Sequence, residues 1–338
     1  MSVTVGILGA GSLFGQGLIK ALRQGTVPHR VVGFDVFPHA VGLYWSDASY
    51  LLPSQSAPDF SESDYLEQLL DGLREEHVNI LLVATEFDLA LMARYRAVLE
   101  AQSECKVVVS SPEVVEIARD KWATYRFCLA QGLPCPPSLI DVNALDAFVA
   151  QHGFPLVVKP RRGSRSRGMS LVHHAAGLGP ALKRAGPTPI VQVAVGTPER
   201  EYTCGTIVFD GECLGVITLR RDLIDGNTLR AYLSPEPELN ALVRQAAVAL
   251  NQYGPANFQL RVGPEGPAIF EINARFSGTT IIRTLAGFNE VEAVIRWVLF
   301  GERLPLVQEK YGVVLRYWEE LFIPWEAYEG VGRLAKVP

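Results

Sequence analysis

Asn257-Phe258-Gln259-Leu260-Arg261-Val262, followed by Gly263-Pro264-Glu265-Gly266-Pro267 and then by Ala268-Ile269-Phe270-Glu271-Ile272-Asn273-Ala274-Arg275, reads as a β-hairpin. Side chains along a strand alternate between its two faces. With Val262 paired to Ala268 across the turn, Gln259 falls opposite Glu271 and Asn257 opposite Asn273. The other face is then Phe258, Leu260, Val262, Ala268, Phe270 and Ile272, all apolar. The polar face gathers a carboxylate, carboxamides and nearby arginines, which are the oxygen donors and charges that suit a hard cation. That combination points to a magnesium nucleotide.

The chain around this hairpin has 338 residues, 48% hydrophobic and 20% charged, enough to bury two or three cores. A formal net charge of -5 supplies no overall cationic field, so a nucleic-acid partner is not expected and any polyanion site must be local. The cysteines (Cys105, Cys128, Cys135, Cys204 and Cys213) are odd in number and lack Cys-x-x-Cys spacing, which argues against a disulfide framework or a structural zinc site. The opening strand Val3-Thr4-Val5-Gly6-Ile7-Leu8 lacks a basic leader, and no apolar run approaches the roughly 20 residues that span a bilayer. A cytoplasmic protein without a membrane partner is the expectation.

From Val3 to about Ser110, apolar runs at Val5–Leu8, Val31–Phe34, Ile80–Ala84 and Val107–Val109 alternate with helical patterns such as Gly15–Arg23 and Asp64–Glu75, predicting an open parallel α/β domain. Ser111–Leu133 reads as helical until Gly132-Leu133-Pro134-Cys135-Pro136-Pro137 breaks it. Beyond that break β-forming runs dominate, at Phe154–Lys159, Met169–His173, Ile190–Val195, Tyr202–Phe209 and Cys213–Leu219, so the second half is α+β. Helices are expected at Pro237–Tyr253 and Val291–Phe300.

Gly9-Ala10-Gly11-Ser12-Leu13-Phe14-Gly15, with Asp35 ending the next strand, is compatible with a dinucleotide fingerprint, but its Gly-x-Gly-x-x-x-Gly spacing also suits any tightly packed strand-to-helix turn. Lys159 ends an apolar strand and opens the cationic loop Pro160-Arg161-Arg162-Gly163-Ser164-Arg165-Ser166-Arg167-Gly168. Its amides, hydroxyls and guanidiniums suit phosphate, yet it lacks the Gly-Lys-Ser/Thr of a P-loop. Asp120-Lys121 offers another ammonium, Glu201 an acceptor for sugar hydroxyls, and Ile190–Val195 an apolar strand able to sandwich a base; taken alone, each also reads as ordinary surface or core.

In that order, these segments resemble the ATP-grasp superfamily, specifically the carbamoyl phosphate synthetase large-chain type, over nearly all of residues 1–300. The resemblance is carried by Asp120-Lys121 with Gly132-Leu133-Pro134-x-Pro136, Phe154–Pro160 with its glycine loop, Gln192 to Glu201-Tyr202, and Asn257-x-Gln259 with Glu271-Ile272-Asn273-x-Arg275. It implies an N-terminal Rossmann-like domain over 1–111 whose glycines and Asp35 are structural, a small lobe over 112–189 with a phosphate lid, a large lobe over 190–307 with the metal hairpin, and a tail over 308–338. It also implies that Lys121 and Lys159 hold ATP phosphates, that Gly163, Ser164 and Gly168 form the lid, and that Gln192, Val193 and Val195 make the adenine hinge. Glu201 would bind ribose, while Gln259, Glu271 and Asn273 would hold magnesium, or manganese in its place. Arg275, with Lys159, would stabilise the transferring phosphoryl group. The chain departs from the family in showing Gln192-Val193 where a hinge glutamate is frequent, in an arginine-bearing lid, and in having a single ATP-grasp unit.

The reaction this implies is activation of a small-molecule carboxylate as an acyl phosphate, attacked by an amine or a thiol; Glu86, Ser277 and Arg283 are the candidate substrate contacts, the last two at a helix start after Arg275. The alternatives are carboxyphosphate chemistry of the carbamoyl phosphate type, a NAD-dependent oxidoreductase using Gly9, Gly11 and Asp35, and a non-catalytic ATP-binding regulator. The tail, with Trp318, Glu319, Glu320 and Trp325, would complete the fold, cover the site or form a homodimer contact.

Overall fold

Short runs of valine, isoleucine and leucine between amphipathic helices build the first sheet. In the computed structural model, which describes residues 2–163 and 166–334, β1 (Val3–Leu8), β2 (His29–Asp35), β3 (Ala48–Leu51), β4 (Ile80–Val83) and β5 (Lys106–Val108) pair in parallel in the order β3-β2-β1-β4-β5. Every residue of β4 is buried, as a central parallel strand with both faces covered must be. Only β3, short and mixed in composition, was not expected from the sequence. Gly9 turns with φ +80°, and a Cβ there would lie 2.1 Å from Thr85 Cγ2. Asp35 accepts from the amides of Gly11 at 2.8 Å, Val36 at 2.8 Å and Phe37 at 3.1 Å. Its carboxylate therefore fastens the glycine turn rather than facing a ribose.

A four-stranded antiparallel sheet follows, from β6 (Ser138–Leu139), β7 (Leu156–Pro160), β8 (Ser170–Val172) and β9 (Pro189–Val193), in the order β6-β9-β7-β8. The lobe boundary expected at 190 thus falls inside a strand of this sheet. A six-stranded antiparallel sheet takes β10 (Glu201–Phe209), β11 (Glu212–Ile224), β12 (Asn227–Leu233), β13 (Gly254–Gly263), β14 (Gly266–Asn273) and β15 (Gly312–Leu315), in the order β14-β13-β10-β11-β12-β15. Part of the tail therefore completes this sheet. The helical run over 111–133 is two helices, Pro112–Arg119 and Lys121–Ala130, broken at Asp120, whose carboxylate caps the second through Trp122 N. Their Val114, Ala118 and Cys128 share a core with Phe258, Leu260 and Ile272, so this segment, expected in the small lobe, packs on the large sheet.

One apolar cluster joins the first domain to the large sheet, with Ile7, Leu18 and Val108 packed in it alongside Ile207, Phe209, Phe288 and Val291. This fixes the sheet edge after β1 and β4 above the hairpin of β13 and β14.

The hairpin pairs Asn257 with Asn273 and Gln259 with Glu271, but then shifts, so that Leu260 meets Ile269 and Val262 meets Pro267. Phe270 is the extra residue of a β-bulge. Consequently Ile269 enters the core, while Ala268 and Phe270, expected on the apolar face, line a cavity with the polar face. The sequence alternation held at the chemical end of the hairpin and slipped by one at its turn.

Arg283 is the other reversal. It is 1% exposed, its guanidinium is 3.0 Å from the buried Glu290 carboxylate, and it also donates to Asn257 Oδ1. It is therefore a core cation rather than a substrate contact, and β10 makes room for it at Gly205, where a Cβ would lie 2.3 Å from Nη1. Removing one partner of a fully buried pair leaves an uncompensated charge, so Arg283→Leu should cost about 3–5 kcal/mol, whereas replacing both partners by apolar residues should restore much of the loss. Urea unfolding of the single and double variants checks this; equal stability of Arg283→Leu and the parent would contradict it.

Candidate functional site

The polar face of the hairpin centres on Glu271. Asn273 Nδ2 donates to its Oε1 at 3.2 Å, Arg275 Nη2 donates to Asn273 Oδ1 at 3.1 Å, and Arg221 Nη2 donates to Gln259 Oε1 at 2.9 Å. Burial pushes the Glu271 carboxyl up, but Lys121, Lys159, the Asn273 bond and Arg221 outweigh it and hold the group below its usual value. A carboxamide oxygen has two lone pairs, and each of these arginine bonds uses one. The ionised Glu271 carboxylate and the Gln259 carboxamide thus stand on the wall of one cavity, with the Asn273 carboxamide bonded directly behind them. Among the described residues, no group of three or more His, Cys, Asp or Glu is placed to hold a metal by itself.

Arg221 escaped the sequence reading. It follows Ile217 and Leu219 at the same parity on β11, so it continues an inward-facing apolar series into the cavity, and that continuation was the available signal. Both of its contacts are long-range. Glu201 accepts from Arg221 Nη2 at 2.7 Å and Nε at 3.1 Å through one oxygen, and from Arg261 Nη2 at 2.7 Å and Nε at 2.9 Å through the other. The lone pairs expected to take ribose hydroxyls are engaged by two guanidiniums.

A cavity of about 530 Å³ lies between the two antiparallel sheets, with Lys121, Lys159, Gln192, Val193 and Val195 on one side and Gln259, Phe270 and Glu271 on the other. Lys121 Nζ donates to the carbonyl of Gly163 at 2.7 Å, and Lys159 Nζ sits 5.4 Å from the centre of the Phe270 ring. Gly163 and Gly168 both turn with positive φ; Ser164 and Arg165 lie outside the described residues. Arg161 binds Asp120 at 2.7 Å, which ties the base of the loop to the helix carrying Lys121. Gln192 is buried, and its Nε2 donates to Ser138 Oγ at 2.8 Å, so its carboxamide is held within the small lobe while the backbone of residues 193–195 borders the cavity.

A second cavity of about 600 Å³ lies between the C-terminal edge of the first sheet and the hairpin, bordered by Asp35, Glu86, Asp88, Arg275 and Ser277. Arg221, Gln259 and Glu271 line both cavities. Asp88 accepts from Gln55 Nε2 and Tyr65 Oη, each at 2.8 Å, and from Thr85 Oγ1; burial, the largest influence, raises its pKa against these bonds, with Asp35 adding to the rise. Arg275 stacks 4.2 Å from the Phe14 ring centre and donates to the Phe276 carbonyl at 2.9 Å. Ser277 borders the cavity, but its Oγ accepts from the Thr279 amide at 3.2 Å, and Thr280 Oγ1 receives the Ser277 amide at 3.3 Å. The amides of Ser277 and Thr279 are thus satisfied locally, and the helix that follows, Thr280–Leu285, is short.

Residues 194–321 match the family described as ATP-grasp in the biosynthetic pathway with Ter operon. A formate-dependent phosphoribosylglycinamide formyltransferase of Burkholderia pseudomallei is 27% identical over 234 residues, which is 68% of this chain and 52% of that protein. The chain spans about half the length of the curated relatives it matches. Among solved structures, N5-carboxyaminoimidazole synthetase from Staphylococcus aureus complexed with ADP superposes with a TM-score of 0.72 at 13% identity, covering 93% of this chain and 82% of that one. The L-amino acid ligase from Bacillus licheniformis gives 0.67 at 18% identity, covering 90% and 78%. The chain has the ATP-grasp fold, a parallel α/β domain followed by two antiparallel lobes with a cavity between them. No helix among the described residues is long and apolar enough to cross a membrane.

Lys159 carries the clearest electrostatic signature. Burial lowers its pKa to about 8; Glu271 opposes the shift, whereas Lys121 and Arg261 add to it. The amine is therefore a cation below about 8 and neutral above. Because Glu271 favours the charged form, Glu271→Gln should move the midpoint lower still. Titration of the Lys159 side chain by 13C NMR in the unliganded protein reads this directly, and an unshifted lysine near the ordinary 10.5 would contradict it.

Proposed function

We propose, starting from the ATP-grasp fold, that this protein is an ATP- and magnesium-dependent ligase that activates a small-molecule carboxylate as an acyl phosphate for attack by an amine. The observation that carries this reading is the wall of Arg221, Gln259 and Glu271 shared by the two cavities. A nucleotide between the lobes and an acceptor against the first domain would meet there, with the terminal phosphate at their junction. Phosphoryl transfer asks little covalent help from a protein and much alignment and charge neutralisation, which lysines and arginines supply.

In this reading Lys121 and Lys159 hold the phosphates, and the loop with Gly163 and Gly168 closes over them. Residues 193–195 border the adenine through their backbone, and Glu201 acts by keeping Arg221 and Arg261 in place. Gln259, Glu271 and Asn273 would hold the cation, their one carboxylate and two carboxamide oxygens leaving its remaining positions to phosphate oxygens. Bound there, magnesium, or manganese in its place, neutralises phosphate charge. Arg275 directs its guanidinium to the substrate carboxylate. A carboxylate oxygen attacks the γ-phosphorus and ADP leaves; the amine nitrogen then attacks the acyl carbon and phosphate leaves, with Glu86 as the group that would take the amine proton.

The relatives give the assay its arms: one is formate-dependent, one is an L-amino acid ligase, and one makes N5-carboxyaminoimidazole. Coupled ADP release with magnesium should therefore be measured with formate, bicarbonate and amino acids as acyl sources, each against a panel of amines. Stimulation by bicarbonate alone would favour carboxyphosphate chemistry, and ATP binding without stimulated ADP release a regulator. NAD-dependent chemistry finds no support at Asp35, whose carboxylate is held by three amides. Glu271→Ala should reduce magnesium-dependent turnover by at least on the order of 100-fold, the upper range for losing outer-shell support of a metal alone. Arg167→Ala in the lid should cost less. Full ADP release by Glu271→Ala would remove the metal assignment.

A further inference from the structure

The segment after the large lobe turns its apolar side chains outward. Val313, Leu315, Tyr317, Trp318, Phe322 and Trp325 are all exposed, Trp318 at 95% and Phe322 at 89%. The backbone that carries them is fastened at both ends. Arg316 N donates to the Leu229 carbonyl at 3.1 Å and its guanidinium reaches the Gly278 carbonyl, while Tyr328 Oη meets His39 Nε2 at 2.8 Å. An anchored aromatic strip differs from a frayed end: its side chains are presented to something.

Its size matches a protein partner. Four rings, at roughly 150–250 Å² each, amount to on the order of 600–1,000 Å² of apolar surface. A stable interface of standard size takes about 800 Å² from each side, and a typical monomer keeps its largest apolar patch to a few hundred. The strip also continues from β15, the last strand of the six-stranded sheet, whose outer edge carries no partner strand among the described residues. Gly312-Val313-Val314-Leu315 contains no charge and no proline, the devices that ordinarily shield an open edge.

We propose that this protein forms a two-fold dimer in which the β15 strands of two copies pair antiparallel and each aromatic strip packs on the other copy. A strand that pairs antiparallel with its own copy makes an isologous, closed contact, so association stops at two. Antiparallel pairing sets the mixed Glu309 and Lys310 end of each copy beside the mixed Arg316, Glu319 and Glu320 end of the other, so neither end meets charge of a single sign. Because the strip runs between Gly278 and His39, both on the border of the second cavity, the second copy would cover part of that cavity's mouth. This inference does not depend on the ligase reading and stands or falls separately from it.

Sedimentation velocity on the full chain over the micromolar range should give twice the 37.0 kDa chain mass. Val313→Lys, and separately Trp318→Ser with Phe322→Ser, alter exposed side chains only and should shift the protein to monomer, weakening association more than tenfold with the far-ultraviolet spectrum unchanged and a melting temperature that, unlike the parent's, no longer rises with protein concentration. Hydrogen exchange at the amides of residues 312–315 should be slower in the parent than in these variants. A parent that stays monomeric overturns the proposal, and tryptophan fluorescence that responds to ATP and magnesium in such a monomer would assign the strip to closing over its own cavity. Variants that remain dimeric overturn it as well, since another face would then hold the copies together.

Discussion

Lys121, Lys159 and Arg221, all three buried, converge on one carboxylate, Glu271, at the wall of the cleft. Positive charge exceeds negative there, and confined charge of one sign is costly until a counter-charge arrives. The fold tolerates the imbalance in two ways. Glu271 is kept ionised, and Lys159 has its proton affinity lowered so that its charge is easily given up. A polyanion accompanied by a cation would balance the site with both signs at once. The rest of the architecture holds these groups apart until that happens.

That holding is a matter of packing. The helices bearing Asp120 and Lys121 share a core with the hairpin strands, so the lysine is set by the same apolar contacts that set Glu271. The first domain is tied to the large sheet through the cluster around Phe209 and Phe288, and this puts the loops after β1 and β4 over the hairpin's polar face. Two cavities meeting at one wall follow from that seating: the six-stranded sheet supplies the junction from two of its strands, Arg221 from β11 and Glu271 from β14.

The parallel domain and the pairing of Gln259 with Glu271 were legible because each is written in local periodicity, whereas the division of the second half into two lobes was implied only by the family resemblance. What was illegible lay in long-range partners and in one inserted residue. Nothing near Glu201 announces that its carboxylate will be held by Arg221 and Arg261, 20 and 60 residues on. Arg283, met at a helix start after Arg275, reads as a ligand; only the fold reveals Glu290 facing it in the core. The bulge at Phe270 left no trace in an alternating sequence, yet it moved an aromatic ring from the interior to beneath Lys159. Arg221 was detectable in principle, as a cation that prolongs the Ile217 and Leu219 parity.

The bond from Lys121 to the Gly163 carbonyl makes the loop a placeholder. In the proposed reading that main-chain oxygen holds the place of a ligand's anionic oxygen, so entry would be an exchange rather than a simple addition. The apparent affinity of the cleft would then contain the free energy of breaking that internal contact. Occupancy of the cleft and the state of the bond between Lys121 and Gly163 would in this way be two readings of a single equilibrium.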